Sequence, residues 1–266
     1  MKFLLTAINA KFIHSNPAIY SLRAGVGEKL QPYVELAEFT INESLESILE
    51  GIWKRQPKVI GFSCYIWNWK LIREILTELP KILPDTEIWL GGPEVTYDGP
   101  GLLREFPQVT GIMVGEGEVT FREVLDHYVR EAESTGQSEQ QPEPDSIEQQ
   151  AADRTGTVAG KSVAERFGQI SGLCLASGYT EPRELTDLTT LPFLYEDMEP
   201  FTNRIIYYET SRGCPYRCSY CLSSIDKKVR LRDIDVVKRE LQFFLDQNVK
   251  QVKFIDRTFN CDHKHA

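Results

Sequence analysis

The sequence predicts an α/β chain. Residues 1–130 read as a doubly wound, five-stranded domain, and residues 201–266 as the start of a parallel α/β barrel. Two observations carry this. In the first half, five short apolar runs recur with helix-period segments between them, the pattern of βαβ units around a parallel sheet. In the last third, an aromatic and β-branched run, a loop, an amphipathic segment and a second such run follow in β-loop-α-β order. At 266 residues and 41% hydrophobic, the chain has core enough for two compact units.

The five predicted strands cover residues 3–8, 34–41, 59–65, 87–90 and 111–114, and the helical spacers 17–30, 43–55, 67–82, 101–106 and 119–132. Leu71, Ile72, Ile75, Leu76 and Leu79 show the helical period most plainly. Pro17 suits a first helical turn, and Asn42 is placed to cap the helix after the second strand. In such sheets a ligand binds beyond the carboxyl ends of the strands. The residues expected there include Asn9, Lys11 and His14 after the first strand, and Ser63, Cys64, Tyr65 and Trp67 after the third. Gly91, Gly92 and Glu94 follow the fourth, and Gly115, Glu116 and Gly117 the fifth. The glycines either make tight turns or let a large, flat ligand approach the backbone. A dinucleotide site is not indicated: the first loop lacks G-x-G-x-x-G, and the acidic G-E-G-E at 115–118 is a poor phosphate cradle.

Residues 131–169 break the pattern. Glu, Gln, Ser, Pro and Gly dominate, so the segment reads as a disordered or weakly ordered insertion. A short strand over 170–176 resumes the fold, and the remainder of 170–200 is a connector. The net charge of −9 argues against nucleic-acid binding, which needs clustered Lys and Arg. Neither a signal peptide nor an apolar run of about twenty residues is present, so the chain reads as soluble, with no membrane partner. Six cysteines, three of them within eight residues, fit a reduced cytoplasmic setting better than a disulfide framework. Cys64 and Cys174 read as small buried apolar residues, and Trp53, Trp67, Trp69 and Trp89 as mostly core.

The chemistry lies at Thr210-Ser-Arg-Gly-Cys-Pro-Tyr-Arg-Cys-Ser-Tyr-Cys221, which follows a strand over 204–210. Cys214, Cys218 and Cys221 form a C-x3-C-x2-C array whose soft thiolates suit an iron–sulfur cluster or zinc. Zinc needs a fourth ligand, for which Cys261, His263 or His265 is available, but the spacing is unlike a C-x2-C knuckle. Three ligands leave one metal position open to a substrate or cofactor. Lys227, Lys228, Arg230 and Arg232 then form a basic run, read as a solvated face or as partners for carboxylates or phosphates. A helix over 235–247, capped by Asp233 or Asp235, leads to a strand over 250–256. Two strands cannot close a barrel, so the second unit is either part of a longer barrel or a smaller domain.

The run C-P-Y-R-C-S-Y-C resembles the cysteine motif of the cobalamin-binding radical S-adenosylmethionine enzymes. N-A-K-F-I-H-S-N, G-F-S-C-Y-I-W-N, L-G-G-P-E-V and G-E-G-E are similar to one uncharacterised subgroup of that family. The resemblance implies a Rossmann-like cobalamin-binding domain followed by part of a radical SAM (β/α) TIM-type barrel. It implies that Cys214, Cys218 and Cys221 hold a 4Fe–4S cluster and that S-adenosylmethionine takes the open iron. Tyr220 and Asp256 would then contact S-adenosylmethionine, and Asn9, Ser63, Tyr65, Trp67, Gly91, Gly92, Gly115 and Glu116 the cobalamin. D-x-H-x-x-G is absent, so a corrinoid without a lower protein ligand is expected, His14 being an ordinary loop histidine. The implied activity is radical methyl transfer to a carbon of an unknown small molecule, fed by an electron donor such as flavodoxin or ferredoxin. Radical cyclisation or rearrangement, and corrinoid binding without catalysis, are the alternatives.

Overall fold

The computed structural model describes residues 1–10, 13–134, 161–225 and 228–265. The five expected parallel strands are β1 (Phe3–Asn9), β2 (Val34–Thr40), β3 (Val59–Ser63), β4 (Glu87–Gly91) and β5 (Val109–Met113). They alternate with α1 (Pro17–Gly25), α2 (Leu45–Trp53), α3 (Trp69–Ile82), α4 (Gly99–Glu105) and α5 (Gly117–Ser134). The sheet order β2-β1-β3-β4-β5 places its switch point between β1 and β3, which leave a crevice at their carboxyl ends.

All seven residues of β1 are buried, as befits a central strand covered on both faces. Alternation divides the core in two. Leu4, Ile60 and Leu90 meet Ile48 of α2 and Ile72 and Leu76 of α3 on one face. Phe3, Leu5 and Trp89 meet Ile19 of α1 and Phe121 and Leu125 of α5 on the other. Pro17 occupies the first turn of α1, whose cap is Asn16. The cap of α2 is Ser44, whose hydroxyl accepts from Ser47 N at 3.2 Å, and not Asn42. Asn42 sits in the preceding turn, two residues too early to reach the free amides of the helix.

Among the described residues the sheet has seven strands. β6 (Leu173–Leu175) joins β5 antiparallel and β7 (Gly178–Tyr179) joins β6, so the strand expected over 170–176 belongs to the first unit. Much of the expected insertion, residues 135–160, lies outside the described residues. Its two ends belong to the fold: α5 runs on to Ser134, and α6 (Val163–Phe167) starts at a capping box between Ser162 and Glu165. Phe167 packs edge-on to Trp89 at 5.1 Å, and Arg166 donates to Glu87 and Glu131. Composition hid α6 because one buried aromatic and one paired arginine hold it.

The second unit opens with β8 (Ile206–Tyr208), then β9 (Ser211–Arg212), β10 (Arg230–Leu231), α7 (Ile234–Asp246) and β11 (Val252–Phe254). β8 and β11 pair in parallel, giving the expected β-loop-α-β order. Asp233 caps α7, its carboxylate accepting from Asp235 N and Val236 N. A third core gathers Tyr195, Phe201, Ile206, Tyr208, Val237 and Phe244. Trp89 is the one fully buried tryptophan, Trp69 is partly buried, and Trp53, the last residue of α2, and Trp67, in the loop before α3, are about half exposed. No helix of the described residues is long and apolar enough to cross a membrane.

Candidate functional site between the sheet crevice and the cysteine loop

The strand ends of the two units face one another across a cavity of about 500 Å³. Ser63, Tyr65, Gly91, Gly92, Gly115 and Glu116 line it from the sheet side, and Tyr207, Tyr208, Glu209, Arg212, Ile255 and Arg257 from the other. All six sheet-side residues were expected from sequence at the carboxyl ends of β3, β4 and β5. Asn9 and Trp67 do not line the cavity. The Asn9 side chain is spent on structure: its amide accepts from Asn16 at 2.7 Å and donates to Glu38 at 3.0 Å. Trp67 stacks on Tyr65, with centroids 4.4 Å apart and planes 8° apart. Lys11 lies outside the described residues.

The crevice is braced by a buried asparagine that the sequence reading passed over. Asn68 donates to Ile8 O and Ser63 O and accepts from Tyr65 N at 2.8 Å, joining the ends of β1 and β3. Its position in W-N-W, before the first turn of α3, is the only sequence signal. Gly92 has φ +108°, and a Cβ there would lie 2.5 Å from Cys64 O, so close backbone approach explains this glycine. Gly115 has φ +78° with open space where a Cβ would go. Cys64 is fully buried, and burial pushes its thiol well up. Burial also pushes the Tyr65 phenol up to about 12, so it stays protonated at neutral pH. His14 is buried, bonded through Nδ1 to Ser15 O at 2.6 Å and stacked on Tyr207 at 4.6 Å.

The residues here fit a large ligand that offers both hydrogen-bond donors and acceptors. Three polar atoms of lining residues, Ser63 Oγ, Glu118 Oε2 and Arg232 Nε, are buried without a partner. Gly115 leaves room for a flat group against the backbone. Residues 4–125 match the family model of the B12 binding domain.

The first half of the chain is a B12-binding domain.

Relatives extend the match past that domain. The chain is 27% identical over 226 residues to an uncharacterized methyltransferase of Pyrococcus horikoshii, covering 84% of this chain and 44% of the relative. It is 28% identical over 215 residues to the cobalamin-dependent radical SAM methyltransferase TokK of Streptomyces tokunonensis, covering 77% and 28%. The chain thus spans less than half the length of these curated relatives. In fold it matches the cobalamin-dependent S-adenosylmethionine radical enzyme OxsB with a TM-score of 0.66 at 14% identity, over 97% of this chain and 34% of that one. Over most of its length the chain is thus similar to a cobalamin-dependent radical SAM methyltransferase, and its first half matches the B12 binding domain.

Opposite the B12-binding domain, the three cysteines lie on the loop between β9 and β10. All are free thiols; Cys214 is partly buried, and Cys218 and Cys221 are exposed. Hydrogen bonding from Ser223 holds the Cys221 thiol below its usual range. Among the described residues no three His, Cys, Asp or Glu side chains converge as closely as a bound metal ion requires. The donor set, three soft thiols on one strand-end loop, is what an iron–sulfur cluster with one open position uses. Tyr220 is 91% exposed on this loop. Asp256, beyond β11, faces the root of the loop: its Oδ1 accepts from Thr210 N at 3.1 Å and Thr210 Oγ1 at 2.8 Å, and from Ser211 Oγ. Thr258 Oγ1 lies 3.3 Å from Cys214 Sγ.

In the basic run after the cysteines Lys228 is exposed, whereas Arg230 and Arg232 are paired and withdrawn from solvent. Arg230 bonds back to Glu116 of the first unit and to Thr186 O, and Arg232 to Glu240 of α7 and Leu191 O. Lys227 lies outside the described residues. Arg212 joins Glu116, Glu118 and Glu209. Burial raises Glu209, whereas Arg212 and other hydrogen-bond donors hold Glu118 low against a larger burial effect. The pairing of Arg212 with Glu118 spans 94 residues and leaves no local trace, whereas Glu209 lies only three residues before Arg212.

Proposed function

We propose that this chain binds a corrinoid in the crevice of its B12-binding domain and a 4Fe–4S cluster on Cys214, Cys218 and Cys221, and that S-adenosylmethionine takes the open iron position. The activity this serves is radical methyl transfer to a carbon of a small molecule, with an electron donor such as flavodoxin or ferredoxin. The observation that carries the reading is the cavity itself, bounded on one side by Ser63, Gly91 and Gly115 and on the other by Glu209, Arg212 and Arg257, which flank the cysteine loop. When bound, the cofactors supply a carbon-centred radical and a transferable methyl group; the protein supplies position and electrostatics.

This chain's own residues have three tasks in that reading. Gly91, Gly92 and Gly115 keep side chains away from the crevice floor, so a flat macrocycle lies against backbone. Asp256 fixes the root of the cysteine loop through Thr210 and Ser211, which orients the first thiolate. The apolar wall of Phe193, Tyr195 and Ile255 excludes water, which a radical requires. The names of relatives support methyl transfer above other radical outcomes.

Iron and acid-labile sulfide analysis after anaerobic reconstitution, with visible spectra before and after hydroxocobalamin, tests binding. Stoichiometric zinc without sulfide sinks the cluster assignment. Release of 5′-deoxyadenosine from S-adenosylmethionine under reduction tests the chemistry, and its absence from cluster-loaded protein refutes catalysis by this chain.

A further inference from the structure

The loop that carries the three cysteines stands on two feet, β9 and β10, which pair antiparallel with Arg212 opposite Arg230. Both arginines reach one carboxylate of the B12-binding domain. Glu116 Oε1 lies 3.4 Å from Arg212 Nη1, and Glu116 Oε2 accepts from Arg230 Nη1 at 3.1 Å and from Thr186 N at 2.7 Å. Arg212 reaches on to Glu118 at 2.6 Å and Glu209 at 2.9 Å. The side chains of Glu116, Arg212 and Arg230 are only 16–17% exposed, and pairs so withdrawn from water are costly to break one partner at a time.

Glu116 lies between Gly115 and Gly117, and all three line the cavity. Whatever presses on this turn presses on both feet of the cysteine loop. We propose that Glu116, gripped by Arg212 and Arg230, couples the two sites: a corrinoid in the cavity and a cluster on the cysteine loop each raise affinity for the other.

The physical basis is shared ordering. A ligand against the 115–117 turn restrains Glu116, and Glu116 then fixes the two strand ends from which the cysteines hang. The second ligand meets a loop already ordered. Linkage makes the effect reciprocal. A second ion pair between the units, Arg204 with Glu38, lies at the root of β8 and touches neither foot, so it serves as a control.

This inference rests on the two-cofactor reading above, and one titration separates them. Hydroxocobalamin is titrated by visible absorbance into the chain with and without a reconstituted iron–sulfur cluster. The cluster-loaded form is expected to bind about tenfold more tightly, in the usual range of such couplings. Arg230→Gln brings that ratio near one, Arg230→Lys falls between, and Arg204→Gln keeps it. The intermediate value in Arg230→Lys distinguishes coupling from general loss of structure. A wild-type ratio of one, or a full ratio in Arg230→Gln, overturns the coupling alone. No hydroxocobalamin uptake in either state overturns the two-cofactor reading with it.

Discussion

Asn68 donates from one amide nitrogen to Ser63 O at 2.9 Å and to Ile8 O at 3.0 Å, tying the ends of the two strands that form the crevice. The side chain is 1% exposed, so water cannot easily replace it. Asn68→Ala leaves two carbonyls and the Tyr65 amide short of a partner and is expected to cost about 2–3 kcal/mol. Asn68→Asp should do no better, because a carboxylate cannot donate. Urea unfolding monitored by circular dichroism measures both; a loss below about 0.5 kcal/mol would show that the brace is dispensable.

Two glycines of the crevice should respond differently to a single methyl group. Gly92→Ala brings a Cβ to 2.5 Å from Cys64 O at a φ of +108°, so backbone must move, at a cost above about 2 kcal/mol. Gly115→Ala meets open space and carries only the left-handed penalty, about 1 kcal/mol. Thermal melts of the two variants side by side give the order, and equal losses contradict it.

Cys221 should be the thiol of the cluster-free protein that alkylates readily at neutral pH, and Cys64 the one that resists. Ser223 hydrogen bonds lower the first, and complete burial raises the second. Timed iodoacetamide labelling with peptide mass spectrometry reads this directly. Labelling of Cys64 ahead of Cys221 in folded protein is the opposite result.

Glu209 gives a pH signature. Burial raises its carboxyl, so the folded state binds more protons than the unfolded state between the ordinary and the raised value. Stability from this group is therefore present at low pH and falls as pH rises through that window. Glu209→Gln removes the titration, so the variant should gain on wild type as pH climbs from about 4 towards 7. Denaturation curves across that range test the sign. A variant that loses ground instead means the Arg212 pair outweighs burial.

Asp256 holds Thr210 and Ser211 at the root of the cysteine loop. Asp256→Ala should weaken iron retention after reconstitution severalfold, with Asp256→Asn intermediate because an amide oxygen still accepts. Iron content after desalting is the measurement, and unchanged retention in Asp256→Ala removes the positioning role.

The parallel sheet was legible because its causes are local. Fully apolar strands such as Phe3–Asn9 and helix-period runs such as Ile72, Ile75, Leu76 and Leu79 declare themselves within a dozen residues. The crevice residues were legible for the same reason, since a parallel sheet puts its ligand at known strand ends. The strand expected over 170–176 is β6, but its partner β7 and the short helix α6 were not legible, because a two-residue strand and one buried Phe167 leave no periodic trace.

The sequence by itself determined the doubly wound half, the positions of its strand-end loops and the three-thiol loop after a strand. Those follow from hydrophobic period, turn chemistry and ligand spacing, all of which act along the chain. Only the tertiary structure decided that Asn9 braces rather than faces the cavity, and that Arg230 is no solvated cation. It alone brought Glu116 between Arg212 and Arg230 from 96 and 114 residues away, taking 212 − 116 and 230 − 116 in the numbering. Charge pairing across such separations is fixed by how two folded units meet, and no local pattern encodes it.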